Sequence, residues 1–433
     1  MSPVACGIAG LAALLVLLLA SLPVAFVMAI VGVVGFAAVV SPHAALAVLS
    51  VDFLDSFMNY GLSVIPLFVF MGQVCFHTGI SSRLFSAANR WFGALPGGLA
   101  MATVGACAAF GAICGSGPAT AATMASAALP EMRKYRYDNA LAGGVVAAGG
   151  GLGMLIPPSV VFIVYGILTE QSIGQLFIAG VLPGVLVAAL FCAVIAVQCM
   201  LHPALAPERP RHTWRERFAS LRDVIETLLL FALVLGGMFL GWFTPTEGAA
   251  VGAAGSLVVA ALSRKLSFAM LRSAIDGTIR TSCMVMIIVA GATVFGHFLA
   301  VTGLPTMLAK WLAGLPLPSW AVILFIGLFY LVAGCFVDSL ALVMLTVPIF
   351  YPVILKLGYS PIWFGVLIVV ITQMGVITPP VGVNVYVVSG IDRSVPIQDV
   401  FRGATPFLLA LVAAALLLLF FPGIATWLPS CIH

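Results

Sequence analysis

Charged residues are scarce in this chain. Only 7% of its 433 residues are Asp, Glu, Lys or Arg, whereas soluble domains contain about 25%. Hydrophobic residues make up 63% of the chain, and the mean hydropathy is +1.22. Water solvates so apolar a surface poorly, so the composition excludes a soluble enzyme, a nucleic-acid-binding protein and a disordered chain. Membrane lipid is therefore the first partner that the sequence predicts.

Signatures of several other protein classes are also missing. There is no phosphate-binding loop of the GxxxxGK[ST] type, which argues against an ATP-driven pump. The nine cysteines contain no Cys-x-x-Cys pair and mostly lie in apolar runs, which is typical of small buried side chains. Unbroken apolar runs, such as 11–20 and 411–421, exclude an outer-membrane barrel. The remaining class is an all-α polytopic membrane protein that is not an enzyme.

Many segments are apolar enough to cross a bilayer, which takes about 20 residues. The candidate spans are 4–21, 24–41, 55–78, 140–168, 175–201, 223–242, 247–263, 277–301, 362–390 and 404–428. Two more apolar stretches, about 98–132 and 320–355, are interrupted by polar or glycine-rich elements at 115–120 and 338–339. Each predicts a re-entrant hairpin of two half-length helices, because irregular backbone at membrane depth must be covered by protein or line a wet cavity.

The chain resembles itself at a shift of 222 residues. The residues that recur in register are Pro130 with Pro352, Tyr137 with Tyr359, Gly153 with Gly375, and 156–158 with 378–380. This predicts two copies, 1–203 and 223–433, joined by a linker over 204–222, each with five crossings and one hairpin. Because five is odd, the second copy enters the membrane inverted, which is a plan of secondary transporters.

The basic residues agree with this topology. With the N-terminus outside, all of the eighteen Lys and Arg residues except Lys310 and Lys356 fall on the cytoplasmic side. Ten crossings then place both termini outside. The basic run Arg209 to Arg217 is interpreted as an orientation signal in a solvated loop, with anionic lipid or nucleic acid as the alternative ligand. The amphipathic segments 80–92 and 303–313 are expected to lie along the interface.

Polar residues at membrane depth are the candidate functional groups. Asp338, at the second hairpin tip, can ligate a cation or cap the following helix, and both interpretations stay open. At the first tip, Ser116 and Thr120 offer neutral oxygen atoms for Na+, with helix packing through small residues as the alternative. His77 and His297 are isolated and are interpreted as structural, so no proton relay is predicted.

A proline pair follows each hairpin, Pro157-Pro158 in one copy and Pro379-Pro380 in the other. Proline removes a backbone donor and clashes with the preceding turn, so each pair breaks its helix. The broken ends expose carbonyl groups that suit Na+ and helix N-termini that suit anions. Two hairpin tips and two breaks that converge would bind a small anion together with cations.

Six segments carry a family resemblance, in the same order over nearly the whole chain. They are 115–123, 129–132, 153–158, 244–247, 338–339 with 347–348, and 377–384. Together they resemble the large membrane subunit of tripartite ATP-independent periplasmic (TRAP) transporters, of the ion-transporter superfamily. Gly117-Pro118 stands where that family often has small hydroxyl residues.

The resemblance implies an elevator-type importer of the bacterial inner membrane, with a scaffold domain, a moving transport domain and two or more coupling Na+ ions. It implies two partner chains, a small four-helix membrane subunit and a soluble periplasmic substrate-binding protein. The implied substrate is a small organic acid, such as a C4-dicarboxylate, another carboxylate or sialic acid. The alternative is a stand-alone Na+- or H+-coupled organic-anion transporter of the same superfamily, without a binding protein.

The resemblance also implies three ligand sets near the tips and breaks. The first Na+ site would use Gly115, Ser116, Thr120, Gly150 and Gly153. The second Na+ site would use Gly334, Asp338, Met374, Gly375 and Thr378. The substrate would contact Ser116, Thr120, Pro157, Pro158, Ser339, Pro379, Pro380 and Asn384.

Overall fold

Helices and their connections form the whole described part of a computed structural model, which covers residues 2–20, 22–207, 213–222, 224–314 and 316–431. Arg209 and Arg211 of the basic run lie outside the described residues. The first half contains α1 Pro3–Leu19, α2 Val24–Val39, α3 Pro42–Met58, α4 Val64–His77, α5 Ile80–Phe92, α6 Gly98–Cys114, α7 Gly117–Lys134, α8 Asn139–Leu155, α9 Val160–Leu168 and α10 Ile173–Leu201. The remainder contains α11 Trp214–Arg222, α12 Ile225–Phe239, α13 Pro245–Leu262, α14 Phe268–Thr302, α15 Leu304–Ala313, α16 Ser319–Gly334, α17 Ser339–Lys356, α18 Pro361–Gly375, α19 Val383–Ile391, α20 Ile397–Phe420 and α21 Gly423–Cys431. Short 3-10 helices lie at Tyr60–Ser63 and Pro203–Leu205.

The all-α polytopic class is confirmed. Seven helical segments of the described chain are long and apolar enough to cross a membrane. The predicted spans 4–21, 24–41 and 223–242 correspond to the shorter apolar helices α1, α2 and α12, with 17, 16 and 15 residues. Helices of that length rise about 23–26 Å, somewhat less than the hydrocarbon thickness of about 30 Å.

Three predicted boundaries differ from the structure. Helix α3 was missed, and the span predicted over 55–78 instead contains the last turn of α3, a 3-10 turn and α4. His43, Asp52 and Asp55 lower the hydropathy of α3, although Ser41 caps its start through a hydrogen bond from the amide of Ala44 (3.2 Å). Polar residues also hid the first turns of α14, a 35-residue helix that begins ahead of the predicted 277–301. The span predicted over 404–428 is divided into α20 and α21 before Pro422.

Two hairpins and two interrupted helices organise the centre of the molecule. The hairpin arms α6, α7, α16 and α17 contain 17, 18, 16 and 18 residues. They rise about 24–27 Å, so they are longer than the half-length arms that the sequence predicts. Helix α8 ends at Leu155 and α9 begins at Val160, while α18 ends at Gly375 and α19 begins at Val383. Both proline pairs lie in these interruptions, and each contains a cis peptide bond.

Helix contacts are reciprocal between the two halves. Helices α7 and α17 begin and end 222 residues apart. Helix α2 packs on α14 and α13 packs on α4, while α7 packs on α19 and α17 packs on α9. Each contact therefore recurs with the halves exchanged, which supports the predicted duplication. Inversion across the membrane stays a prediction. We call α2, α4, α13 and α14 the outer layer, and α6–α10 with α16–α20 the hairpin body.

The hairpin body contains a very close helix crossing between α8 and α20. A Cβ atom on Gly403 would lie 1.7 Å from the carbonyl oxygen of Ala140, and one on Gly144 would lie 2.1 Å from the carbonyl carbon of Gly403. These backbones touch, so even a methyl group would push the helices apart. Small residues at helix contacts are typical of membrane proteins.

We expect Gly403→Ala to destabilise the protein by about 1–3 kcal/mol, the usual cost of overpacking. Gly296→Ala is the matched control, because nothing lies within 4 Å of its Cβ position in α14. Thermal unfolding in detergent measures both variants. Equal unfolding midpoints for the two variants would contradict this account of the crossing.

Candidate transport site

A cavity of about 720 Å³ separates the tips of both hairpins from the outer layer. The hairpin wall includes Cys114, Gly115, Ser116, Gly117, Pro118, Ala119, Thr123, Ser126, Asp338 and Leu340. The opposite wall includes Pro23, Val24 to Phe26 of α2, Gln73 and Phe76 of α4, and Thr281, Met284, Val285, Ile287 and Ile288 of α14. Of the predicted site residues, the structure places Gly115, Ser116 and Asp338 on this cavity.

The first hairpin tip rests directly on the first helix break. The amide of Val160, the first residue of α9, donates to the carbonyl oxygen of Gly115 (3.3 Å). A Cβ atom on Gly115 would lie 2.7 Å from the carbonyl oxygen of Pro158, and its φ of +65° is left-handed. Glycine is therefore required both by backbone conformation and by the close approach.

Three residues of the predicted first Na+ site lie together behind this tip. The hydroxyl of Thr120 donates to the carbonyl oxygen of Ser116 (2.7 Å). A Cβ atom on Gly153 would lie 2.5 Å from Thr120 Oγ1 and 2.9 Å from the Ser116 oxygen. Gly150 lies apart, against Ala121 of α7. Hydroxyl and carbonyl oxygens are hard ligands, so the chemistry of this cluster fits an alkali cation.

The second tip repeats this arrangement. The amide of Val381 donates to the carbonyl oxygen of Cys335 (3.3 Å). A Cβ atom on Gly375 would lie 2.5 Å from the carbonyl oxygen of Gly334. The hydroxyl of Thr378 donates to the carbonyl oxygen of Met374 (2.6 Å). Gly334, Gly375 and the turn from Met374 to Thr378 thus lie together, and their binding of Na+ stays a prediction.

Asp338 occupies the start of α17 and also lines the cavity. Its Oδ2 accepts a hydrogen bond from the amide of Leu340 (3.1 Å), so the capping interpretation describes a contact that is present. Ligation of a cation stays a prediction. Ser339 is buried, and its hydroxyl has no hydrogen-bond partner among the described residues.

The other predicted substrate contacts lie away from the cavity. Pro157 and Pro158 are buried, whereas Pro379 and Pro380 are exposed, and none of the four lines the cavity. Asn384 is fully buried and donates from Nδ2 to the carbonyl oxygen of Ala147 in α8 (2.9 Å). In this arrangement Asn384 joins two helices of the hairpin body behind the tips.

The sequence reasoning missed three polar residues, two on the cavity wall and one buried in the hairpin body. Gln73 and Thr281 bring an amide and a hydroxyl to the outer-layer wall of the cavity. Gln373, in α18, is only 1% exposed, and neither amide atom has a partner in the described part of the chain. Neither a charge nor a helix break marks these residues, and the signal that could have found Gln73 and Gln373 is an amide inside an apolar helix.

The prediction that His297 is isolated is wrong. Its Nδ1 lies 2.7 Å from Oδ2 of Asp52, and the Asp52 side chain is only 8% exposed. The pairing joins α3 to α14. It was missed because α3 was not recognised as a helix, so nothing placed Asp52 beside the end of α14.

A polar contact at the surface ties the first hairpin to the second broken helix. Arg133, near the end of α7, contacts the Asp392 carboxylate and the Ser394 hydroxyl, just beyond α19. Partial burial raises the pKa of Asp392, but hydrogen bonds from Ser394 and the Arg133 charge outweigh it and hold the pKa below its ordinary value.

Apolar helices, two hairpins and two interrupted helices around a central cavity define a polytopic membrane transporter. The solved YdaH transporter of Alcanivorax borkumensis shares this fold, with a TM-score of 0.63 and 18% identity, over 89% of this chain and 90% of that one. The chain belongs to the family described as tripartite ATP-independent periplasmic transporter, DctM component, whose family model matches residues 11–424.

Curated relatives agree with this assignment. The chain is 37% identical to the C4-dicarboxylate TRAP transporter large permease protein DctM of Pseudomonas aeruginosa, over 88% of this chain and 89% of that protein. It is 34% identical to the isethionate TRAP transporter permease protein DctMQ of Oleidesulfovibrio alaskensis, over 88% of this chain but 59% of that longer protein. The suspected family is confirmed. Family membership also supports a multi-pass protein of the bacterial inner membrane that is a transporter permease.

We expect Asp392→Asn to lower the free energy of unfolding at pH 7 by less than about 1 kcal/mol, because the Arg133 side of the pair is exposed and water screens it. A lowered folded-state pKa stabilises the fold above the usual carboxyl pKa of about 3.9, and the gain is lost as pH falls through the folded value. Unfolding midpoints of wild type and variant should therefore converge towards pH 3. Asp55→Asn, at an exposed carboxylate, is the control, and a difference at Asp392 that persists unchanged at pH 3 would contradict the prediction.

Proposed function

We propose that this chain is the Na+-coupled large membrane subunit of an importer for a small organic anion of the carboxylate class. A periplasmic binding protein delivers the anion, and an elevator movement carries it across the inner membrane. The observation that supports this most is the cavity, because both hairpin tips reach it and place Ser116 and Asp338 on its wall. The alternative is a stand-alone Na+- or H+-coupled carrier of the same superfamily.

Substrate chemistry follows from the helix starts beside the cavity. Helices α7 and α17 begin at Gly117 and Ser339, directly after the two tips. The N-terminus of a helix has unpaired amide groups and a partial positive charge, so it attracts carboxylates and sulfonates. The relatives named for C4-dicarboxylate and isethionate have substrates of these two classes.

Coupling to Na+ is supported by the oxygen atoms gathered at each tip. Ser116, Thr120 and Gly153 meet at the first break, and Gly334, Gly375 and Thr378 meet at the second. Bound cations there would offset the charge of an anionic substrate and of Asp338. They would also hold each tip against its break. With one cluster at each tip, we expect two or more Na+ ions to move in each transport cycle.

An elevator movement is supported by the division of the cavity between two groups of helices. The hairpin body holds the tips and breaks, whereas the outer layer supplies a wall without breaks. Sliding the hairpin body along the outer layer would carry the bound ions and substrate with it. We also propose that both termini lie outside the cytoplasm.

Two partner chains complete the proposal. The family is tripartite and periplasmic, which supports two further components beside this chain. We propose that they are a soluble binding protein and a small membrane subunit of four helices, as the resemblance implies. One relative, the isethionate permease protein DctMQ, is longer than this chain, which matches 59% of it. This supports a second membrane component beside the large subunit.

Uptake by the reconstituted protein with its small subunit should require both Na+ and the binding protein. Replacing Na+ with choline at constant pH, or omitting the binding protein, should each reduce uptake of the labelled anion to less than a tenth. Uptake that persists in choline would reject Na+ coupling. Full uptake without a binding protein would favour the stand-alone alternative.

Substitutions at Asp338 separate cation binding from helix capping. Asp338→Asn retains an N-cap side chain, so it should be nearly as stable as the wild type, whereas Asp338→Ala should lose about 1 kcal/mol. If the carboxylate ligates Na+, both variants lose Na+-dependent uptake. Asp138→Asn is the matched control, because Asp138 caps α8 at an exposed position outside the cavity. Normal Na+-dependent uptake by Asp338→Asn would contradict Na+ ligation by Asp338 and show that its role is to cap α17.

A further inference from the structure

Gln373 lies where the two interrupted helices meet. It belongs to α18, just before the second break, and is 1% exposed. Neither its Nε2 nor its Oε1 has a hydrogen-bond partner among the residues that the structure describes. Buried amides are nearly always hydrogen-bonded. An apolar side chain would fill the same space at lower cost, so the amide calls for an explanation beyond packing.

The residue opposite Gln373 is Gly151 of α8, just before the first break. A Cβ atom on Gly151 would lie 3.1 Å from Gln373 Oε1 and 3.3 Å from its Cγ. The amide therefore occupies the space that this glycine leaves free. The two positions are 222 residues apart, the shift that relates the two halves. The contact thus joins corresponding turns of the two interrupted helices.

A second amide contacts the preceding turn of α8 from the far side of the second break. Asn384 Nδ2 donates to the carbonyl oxygen of Ala147 (2.9 Å), and its Oδ1 is without a partner in the described residues. Ala147 lies one turn before Gly151. Gln373 before the second break and Asn384 after it therefore both contact α8 ahead of the first break.

We propose that Gln373 is a positioning residue that couples the two ion sites of the transporter, an inference that rests on the Na+ coupling proposed above. Gly151 lies between Gly150 and Gly153 of the first predicted site, and Gln373 directly precedes Met374 of the second. Closing either tip on its ion shifts the helix that forms that site. The polar amide of Gln373, which lies against Gly151, transmits the shift to the other helix, so each ion changes the affinity for the other.

The test is a Na+ titration of the purified chain, with the thermal unfolding midpoint as readout and choline to keep ionic strength constant. The wild type should show cooperative stabilisation, with a Hill coefficient near 2. In Gln373→Met, which keeps the length of the side chain, the coefficient should fall towards 1. The half-saturating Na+ concentration should rise at least about fivefold, the lower end of typical coupling.

A purely structural role for Gln373 would lower the midpoint equally in Na+ and choline and leave the Hill coefficient unchanged, which would overturn the proposal. Gln171→Met is the matched control, because the Gln171 amide donates to the Thr169 carbonyl and the Tyr351 hydroxyl, away from the contact between Gln373 and Gly151. If Gln373→Met does not fold, Gly151→Ala tests the same contact from the other side, with the same expected loss of cooperativity. Absence of any Na+ effect in the wild type would instead reject the proposed coupling itself.

Discussion

Backbone polar groups in a membrane must find partners within the protein, and this constraint shapes the centre of the molecule. Two helices are interrupted there, which frees amide and carbonyl groups at both breaks. Each hairpin tip pairs with some of these freed groups. The carbonyl oxygens of Gly115 and Cys335 accept hydrogen bonds from the amides of Val160 and Val381. The approach is so close that glycine is needed on the tips and on the broken helices. Loss of the contact between Gly115 and Val160 would leave unpaired backbone groups among buried residues.

The same constraint makes the centre suitable for transport. Polar residues of the tips also line the cavity, among them Ser116 and Asp338. Water, ions or an anion can reach such groups, whereas lipid cannot satisfy them. The hairpin body presents Ser116 and Asp338 at the boundary where it faces the outer layer. Away from this boundary, helices of the hairpin body pack closely, as Gly144 of α8 does on Gly403 of α20.

Polar side chains away from the cavity have a different part in the fold. Asn384 and Gln373 link the second break to α8, and Asp52 with His297 joins α3 to α14. Buried amides and carboxylates are costly in an apolar medium, so each marks a place where geometry must be held. Ser116 and Asp338 differ from them, because they face open volume. Burial alone does not separate these two uses of a polar group, but the direction of the side chain does.

Local chemistry in the sequence was enough to determine the class of protein, most helices and the proline interruptions. Hydropathy depends only on composition within a window, and a proline pair breaks a helix wherever it stands. Helix α3 was not predicted because its acidic residues lowered the hydropathy. The contact between Asp52 of α3 and His297 was missed for the same reason. Only the tertiary structure decided that Gln73 and Thr281 face the cavity while Asn384 and Thr120 are buried behind it. A helix that is apolar on every side has no preferred face, so the direction of its few polar groups is settled by packing against segments far away in the chain.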